Sequence, residues 1–199
     1  MFPLNLPNTL TVLRILLVPV MVVALTSELP GGSAIAAGVF AAAAITDGLD
    51  GYIARSRQSI TTFGKVMDPV ADKLLIAAAL ISLVSLDRLA AWVAMVIIAR
   101  EFAVSGLRIA AGQQGVVIPA SMLGKVKTIV QVAAVLALIA VDDTRQVWVQ
   151  ALVYAMVLLT VASGADYFLN FRRTIEEARQ KMVRDAAQVV ARKRGTETP

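Results

Sequence analysis

The sequence predicts an all-α membrane protein: a bundle of six transmembrane helices with both termini on the cytoplasmic side. Composition is the first observation behind this, because 58% of the 199 residues are hydrophobic, 17% are charged and the mean hydropathy is +0.74, too oily for a soluble domain of this size. The second is periodic spacing of apolar stretches, each about 20 residues long, enough to cross a hydrocarbon core roughly 30 Å thick. The third is the placement of charge, since all but two of the 19 Lys and Arg residues fall at one end of the predicted bundle.

The first stretch runs from about Asn8 to Ser27. No basic residue precedes it and no clear small-residue cleavage site follows, so it reads as a retained helix and not a signal peptide. Leu29-Pro30-Gly31-Gly32 is a turn signal that introduces the second stretch, Ser33 to Arg55. The third, Val66 to Leu86, is separated by Asp87-Arg88 from the fourth, Leu89 to Ile109. Gly112 to Gly115 with Pro119 precede the fifth, Met122 to Val141, and Asp142-Asp143-Thr144-Arg145 precede the sixth, Val147 to Asn170. Short connections of this kind join antiparallel neighbours. Arg88 and Arg145 alone lie at the outer end, which sets the cytoplasmic side and predicts a multi-pass protein of the cell membrane. Residues 1–170 form the membrane domain; 171–199 form a basic tail, helical in part, with eight basic and four acidic residues. The tail suits either a solvated flank that enforces topology or a helix lying on an anionic leaflet.

With no Cys and no His, the chain has no disulfide, no thiolate or imidazole metal site, no Cys nucleophile and no Ser-His-Asp triad. Acid or base chemistry falls to carboxylates, Lys or Tyr. A net charge of +5 suits an anionic partner, and composition alone does not choose among lipid headgroups, phosphates and nucleic acid.

Charges inside membrane helices are expensive and mark function. Asp47 and Asp50 lie about 18 to 21 residues, roughly 27 to 32 Å, from the outer start of the second helix. Asp68 and Asp72 lie about 15 to 19 residues, roughly 22 to 28 Å, from the outer end of the third. Two antiparallel helices thus bring four carboxylates to one layer near the cytoplasmic face. The i,i+3 and i,i+4 spacings put each pair on one helix face. Such a cluster repels itself unless protonated or neutralised by a cation, and an all-oxygen donor set suits Mg²⁺ or Mn²⁺, with room for two ions. Gly48, Gly51, Ala54, Gly64 and Ala71 flank the acids and allow close packing or close approach of a ligand. Asp68-Pro69 predicts that Asp68 lies near a helix start. Arg14, Arg100, Arg108, Lys125 and Lys127 occupy the same layer and suit a substrate with several phosphates, whereas Arg57 and Lys65 read as snorkelling anchors. Glu101 beside Arg100 predicts a paired, partly buried network.

Read together, the residues spell Asp47-x2-Asp50-Gly51-x2-Ala54-Arg55-x8-Gly64-x3-Asp68-x3-Asp72. This resembles the full signature of the CDP-alcohol phosphatidyltransferases, and the resemblance extends over about residues 5–170. Asn5-Leu6-Pro7-Asn8-Thr9-Leu10-Thr11 with Arg14, Arg100-Glu101 with Arg108, and Gly124-Lys125-Val126-Lys127-Thr128 make it most similar to the bacterial members that produce phosphatidylglycerophosphate. The resemblance implies transfer of a phosphatidyl group from CDP-diacylglycerol to sn-glycerol 3-phosphate with release of CMP, in a lipid bilayer, by a homodimer, with no nucleic acid partner. It implies that Asp47, Asp50, Asp68 and Asp72 hold Mg²⁺ or Mn²⁺, two ions per site, and that Asp72 is also the base. Asn8, Thr9, Gly51, Arg55, Thr61 and Gly64 would contact the cytidine diphosphate, and Arg100, Arg108 and Lys125 the acceptor phosphate. Relatives that use inositol phosphate, serine or phosphatidylglycerol as acceptor share the first motif. A cation transporter with an acidic ion site is the alternative from another class; it needs charged residues in the outer half of the helices, which offers few.

Overall fold

The computed structural model describes residues 6–27, 29–57, 62–113, 116 and 121–196, with side chains described except at 6–8, 47–57, 62–69, 178, 181–183 and 185–196. Among the described residues the fold is all-helical, as expected: α1 Leu6–Thr26, α2 Gly32–Arg57, α3 Thr62–Ser85, α4 Ala91–Gln113, α5 Met122–Ala140 and α6 Val147–Thr196. Helix α1 packs on α2 and α3, α2 also on α5, α5 on α6, and α4 on α3 and α6.

Turn chemistry fixes the α1–α2 and α3–α4 hairpins. After α1, Gly31 takes a positive φ of 78°, and a Cβ on Gly32 would stand 2.4 Å from the carbonyl oxygen of Ala24, so the α1–α2 corner closes only around glycine. At the end of α3, Asp87 adopts φ 55°, with Arg88 N–H donating to Leu83 and Asp87 N–H to Val84; these paired bonds terminate the helix in a Schellman geometry. Arg88 then donates through Nη1 to the carbonyls of Leu138 (3.4 Å) and Ile139 (3.0 Å), satisfying carbonyls that α5 leaves open at its C-terminus. Arg88, one of the two basic residues expected at the outer end, is thereby a helix cap.

The bundle is divided along its length. Met21, Phe40, Leu80, Leu83, Ile97, Leu138, Ile139 and Met156 are fully buried, and all lie in the half toward these turns. Apart from Ser82 near the end of α3, the buried polar residues, among them Thr11, Arg14, Lys127, Gln131 and Ser163, lie toward the other half. Helix α6 shows the division most plainly, because its buried positions Val149, Val153, Met156, Thr160, Ser163 and Tyr167 recur every three or four residues and turn from apolar to polar along the helix. Large apolar side chains such as Leu16, Val23, Ile81, Met95, Ile129 and Leu158 are exposed on the outside, which in a bilayer is the lipid face.

Among the described residues three helices are long and apolar enough to cross a membrane, over Thr9–Thr26, Met122–Ala140 and Val147–Glu177; Gly32–Thr46 is a shorter apolar segment. In α3 and α4 the apolar run is interrupted by Lys65, Asp68, Asp72, Lys73, Arg100, Glu101 and Arg108. Two boundaries differ from expectation. Helix α3 begins at Thr62, so Asp68 lies in its second turn; Pro69 forfeits one backbone bond inside the helix and does not define its start. Helix α6 continues unbroken past Asn170 to Thr196, because its charged half contains no proline and its single glycine lies next to the end.

Candidate active site

Helix α5 enters the polar half through a serine cap. Ser121 is extended, at φ −75° and ψ 154°, and its Oγ accepts a hydrogen bond from Gly124 N–H at 3.2 Å. With the start fixed, the buried stripe of α5 runs Lys127, Gln131, Ala134, Val135, Leu138 and Ile139, so one turn carries an ammonium and the next a carboxamide into the bundle. Helix α4 buries Val93, Ala94, Ile97 and Val104, and the same face brings Arg100 and Glu101 inward.

These side chains form one network. Glu101 Oε1 accepts from Lys127 Nζ and from Arg100 Nη1, the latter at 3.3 Å, and Arg100 Nη2 donates to Ser163 Oγ on α6 at 3.1 Å. Ser163 in turn donates to the carbonyl of Thr160, and Ser105 to the carbonyl of Glu101. Gly164 makes room for the guanidinium stem: a Cβ there would meet Arg100 Cγ at 3.2 Å. A single carboxylate oxygen thus orients two cations from different helices, an arrangement worth more in a low-dielectric interior than at a surface.

A cavity of about 40 Å³ opens beside the network, lined by Asp72 and Lys73 of α3, Glu101 of α4, and Lys127, Thr128 and Gln131 of α5. Asp72 is half-buried there. A carboxylate from α3 and an ammonium and a carboxamide from α5, the ammonium held by Glu101 of α4, thus converge on the cavity. Such a constellation can deprotonate a hydroxyl and stabilise negative charge next to it.

The expected site residues divide into three groups. Asp72 and Arg100 are brought to the cavity and its supporting network. Thr9 is exposed on α1; Arg108 is exposed on α4 with its guanidinium 5.8 Å from the Tyr167 ring centroid; Lys125 is exposed on α5, two residues from the buried Lys127. The structure does not bring Arg108 or Lys125 into contact with the Glu101 network. The side chains of Asn8, Asp47, Asp50, Gly51, Arg55, Gly64 and Asp68 lie outside the described residues although their backbones belong to α1, α2 and α3, and Thr61 lies outside altogether. Among the described residues no three carboxylates gather. Sequence reasoning placed Lys125 and Lys127 together in the phosphate-suited layer and assigned the acceptor phosphate to Lys125, without singling out Gln131 or Ser163; the stripe that continues from Lys127 through Gln131 to Leu138 is the signal that makes Lys127 the inward of the two lysines.

Residues 4–163 match the CDP-alcohol phosphatidyltransferase family. The chain is 40% identical over 180 residues to the CDP-diacylglycerol--glycerol-3-phosphate 3-phosphatidyltransferase of Bacillus subtilis, an alignment covering 82% of this chain and 93% of that one. It is 42% identical over 180 residues to a probable phosphatidylglycerophosphate synthase of Mycobacterium tuberculosis, covering 88% and 86% respectively. A cardiolipin synthase (CMP-forming) of Oryza sativa is 39% identical over 176 residues, 81% of this chain but 54% of the plant protein.

Proposed function

The chain belongs to the CDP-alcohol phosphatidyltransferase family, and from that premise we propose that it transfers the phosphatidyl group of CDP-diacylglycerol to sn-glycerol 3-phosphate, releasing CMP. It is a membrane protein and a transferase of phospholipid synthesis. The carrying observation is that relatives named for this reaction align over 82% and 88% of the chain and over nearly all of their own length, whereas the cardiolipin synthase aligns over about half of its own.

Asp72 takes the proton of the acceptor's primary hydroxyl, and that oxygen attacks, in line, the phosphorus that carries diacylglycerol; the bond to the CMP oxygen breaks. Lys127 and Arg100, fixed by Glu101, keep positive charge beside the reacting anions. Arg108 and Lys125, exposed at the same end of α4 and α5, attract the acceptor phosphate. Asn8, Thr9, Gly51, Arg55, Thr61 and Gly64 form the cytidine diphosphate side, where Arg55 meets the charge of departing CMP. Asp47, Asp50, Asp68 and Asp72 are an all-carboxylate donor set in a chain without Cys or His, which fits Mg²⁺ or Mn²⁺, two ions per site. Bound there, the ions supply Lewis acidity to the pyrophosphate.

The architecture that goes with this reading is six membrane spans with both termini cytoplasmic, residues 1–170 as the membrane unit and 171–199 as a basic tail, assembled as a homodimer in the cell membrane. The test is CMP release by detergent-purified protein given CDP-diacylglycerol and Mg²⁺, with sn-glycerol 3-phosphate, inositol phosphate, serine and phosphatidylglycerol offered separately. Release that depends on glycerol 3-phosphate, stops with a chelator and is abolished by Asp72→Asn in folded protein is the expected outcome. Release with a different acceptor would keep the chemistry and overturn the substrate.

A further inference from the structure

Among the described residues of the cavity wall, Gln131 stands out for a buried polar atom that the fold does not use. It is 2% exposed, and its Oε1 is buried with no hydrogen-bond partner among the described residues. A buried carboxamide oxygen without a donor costs about as much as a broken hydrogen bond, so an apolar residue would serve packing better at this position. Its neighbours on the same stripe, Ala134, Val135 and Leu138, are apolar. One turn before it stands Lys127, whose ammonium is engaged by Glu101, and across the cavity stands Asp72.

We propose that Gln131 reads the secondary hydroxyl of the acceptor. This rests on the phosphatidyl-transfer reading and adds a specificity determinant to it. The cavity, about 40 Å³, has roughly three times the space that a single water needs, enough for the hydroxyl-bearing end of a small polyol and not for its whole phosphate ester. When the primary hydroxyl is presented to Asp72, the hydroxyl on the next carbon falls within reach of the same wall. It donates to Oε1 or, after rotation about the terminal carboxamide bond, accepts from Nε2; that rotor is broad and two-fold, so either face is available. A hydroxyl therefore satisfies the orphaned group, and an acceptor without one leaves it orphaned. A site that leaves a buried polar group unpaired rejects the analogue that fails to pair it.

The experiment compares sn-glycerol 3-phosphate with 3-hydroxypropyl phosphate, which keeps the primary hydroxyl and the phosphate but lacks the secondary hydroxyl. The expected result for the unsubstituted enzyme is a kcat/KM about tenfold or more in favour of glycerol 3-phosphate, as one neutral hydrogen bond supplies. In Gln131→Met, close in volume and helix-forming, the preference falls to about twofold or less while thermal stability in detergent holds or rises. Equal losses for both acceptors in Gln131→Met would assign the residue to packing and overturn the proposal. Equal use of both acceptors by the unsubstituted enzyme would overturn it without any variant. If the unsubstituted enzyme does not turn over glycerol 3-phosphate, the parent reading falls and takes this one with it, an outcome distinct from unchanged discrimination.

Discussion

Glu101 concentrates the electrostatics of the site on one atom. Its Oε1 is shared by Lys127, whose side chain is 4% exposed, and by Arg100, 15% exposed. Removing the negative charge leaves two cations facing each other in a poorly hydrated interior, where breaking a buried pair costs about 3–5 kcal/mol. Glu101→Gln keeps one acceptor oxygen and the shape, so a loss of about 2–3 kcal/mol is expected in denaturant unfolding from micelles, together with at least a tenfold drop in CMP release. Adding Lys127→Met to Glu101→Gln should recover part of the stability and none of the activity, because the repulsion is relieved while the cation beside the cavity is gone. The Arg100–Glu101 pairing was legible in the sequence from adjacency and a membrane setting. The choice of Lys127 over Lys125 was not, because two lysines two residues apart point to different faces and the motif alone does not say which face is inward. The helical phase of Gln131 and the apolar residues after it decides that, once the stripe is followed beyond the motif. Ser163 escaped notice for a plainer reason: a lone serine in an apolar helix most often bonds its own backbone, as Ser163 also does to Thr160.

At the scale of elements, each of the six helices was visible as an apolar run, and their limits fell within a few residues of expectation wherever turn chemistry marked them. Pro30-Gly31-Gly32 and Asp87-Arg88 are real corners, whereas Pro69 is not, since a proline inside a long helix removes one bond that the rest of the helix outweighs. The corner at Gly32 carries the sharpest structural prediction. A Cβ at 2.4 Å from the Ala24 carbonyl meets backbone, which has no rotamer to give way, so Gly32→Ala must pry α1 from α2. A cost of about 1–3 kcal/mol is expected, as for other overpacked sites, read as a lower unfolding midpoint in detergent. Gly38→Ala is the control: on the same helix a Cβ there meets nothing within 4 Å, and the substitution should be neutral or slightly stabilising.

At the scale of the whole molecule, the division into an apolar half and a polar half has a direction, and α6 measures it. Its 50 residues span about 75 Å at 1.5 Å per residue, far more than the roughly 30 Å of a hydrocarbon core. The apolar window ends by Glu177, and eight basic residues follow Asn170, so the charged half projects on the side of the polar site. In the proposed topology the basic half is retained on the cytoplasmic side, which would put Asp72, Glu101 and Lys127 toward the compartment where a water-soluble phosphate ester and a nucleotide product are handled, and the Arg88 cap and the 142–146 turn outside. Because the chain contains no cysteine, single substitutions give a labelling experiment without background. Asp142→Cys and Glu176→Cys both replace exposed side chains, 97% and 66% accessible, at opposite ends of the apolar part of α6. A membrane-impermeant maleimide should label Asp142→Cys in intact spheroplasts and reach Glu176→Cys only after permeabilisation. The reverse pattern would invert the protein and put the acceptor site on the outer face; labelling of both before permeabilisation would mean that α6 does not cross the membrane between them.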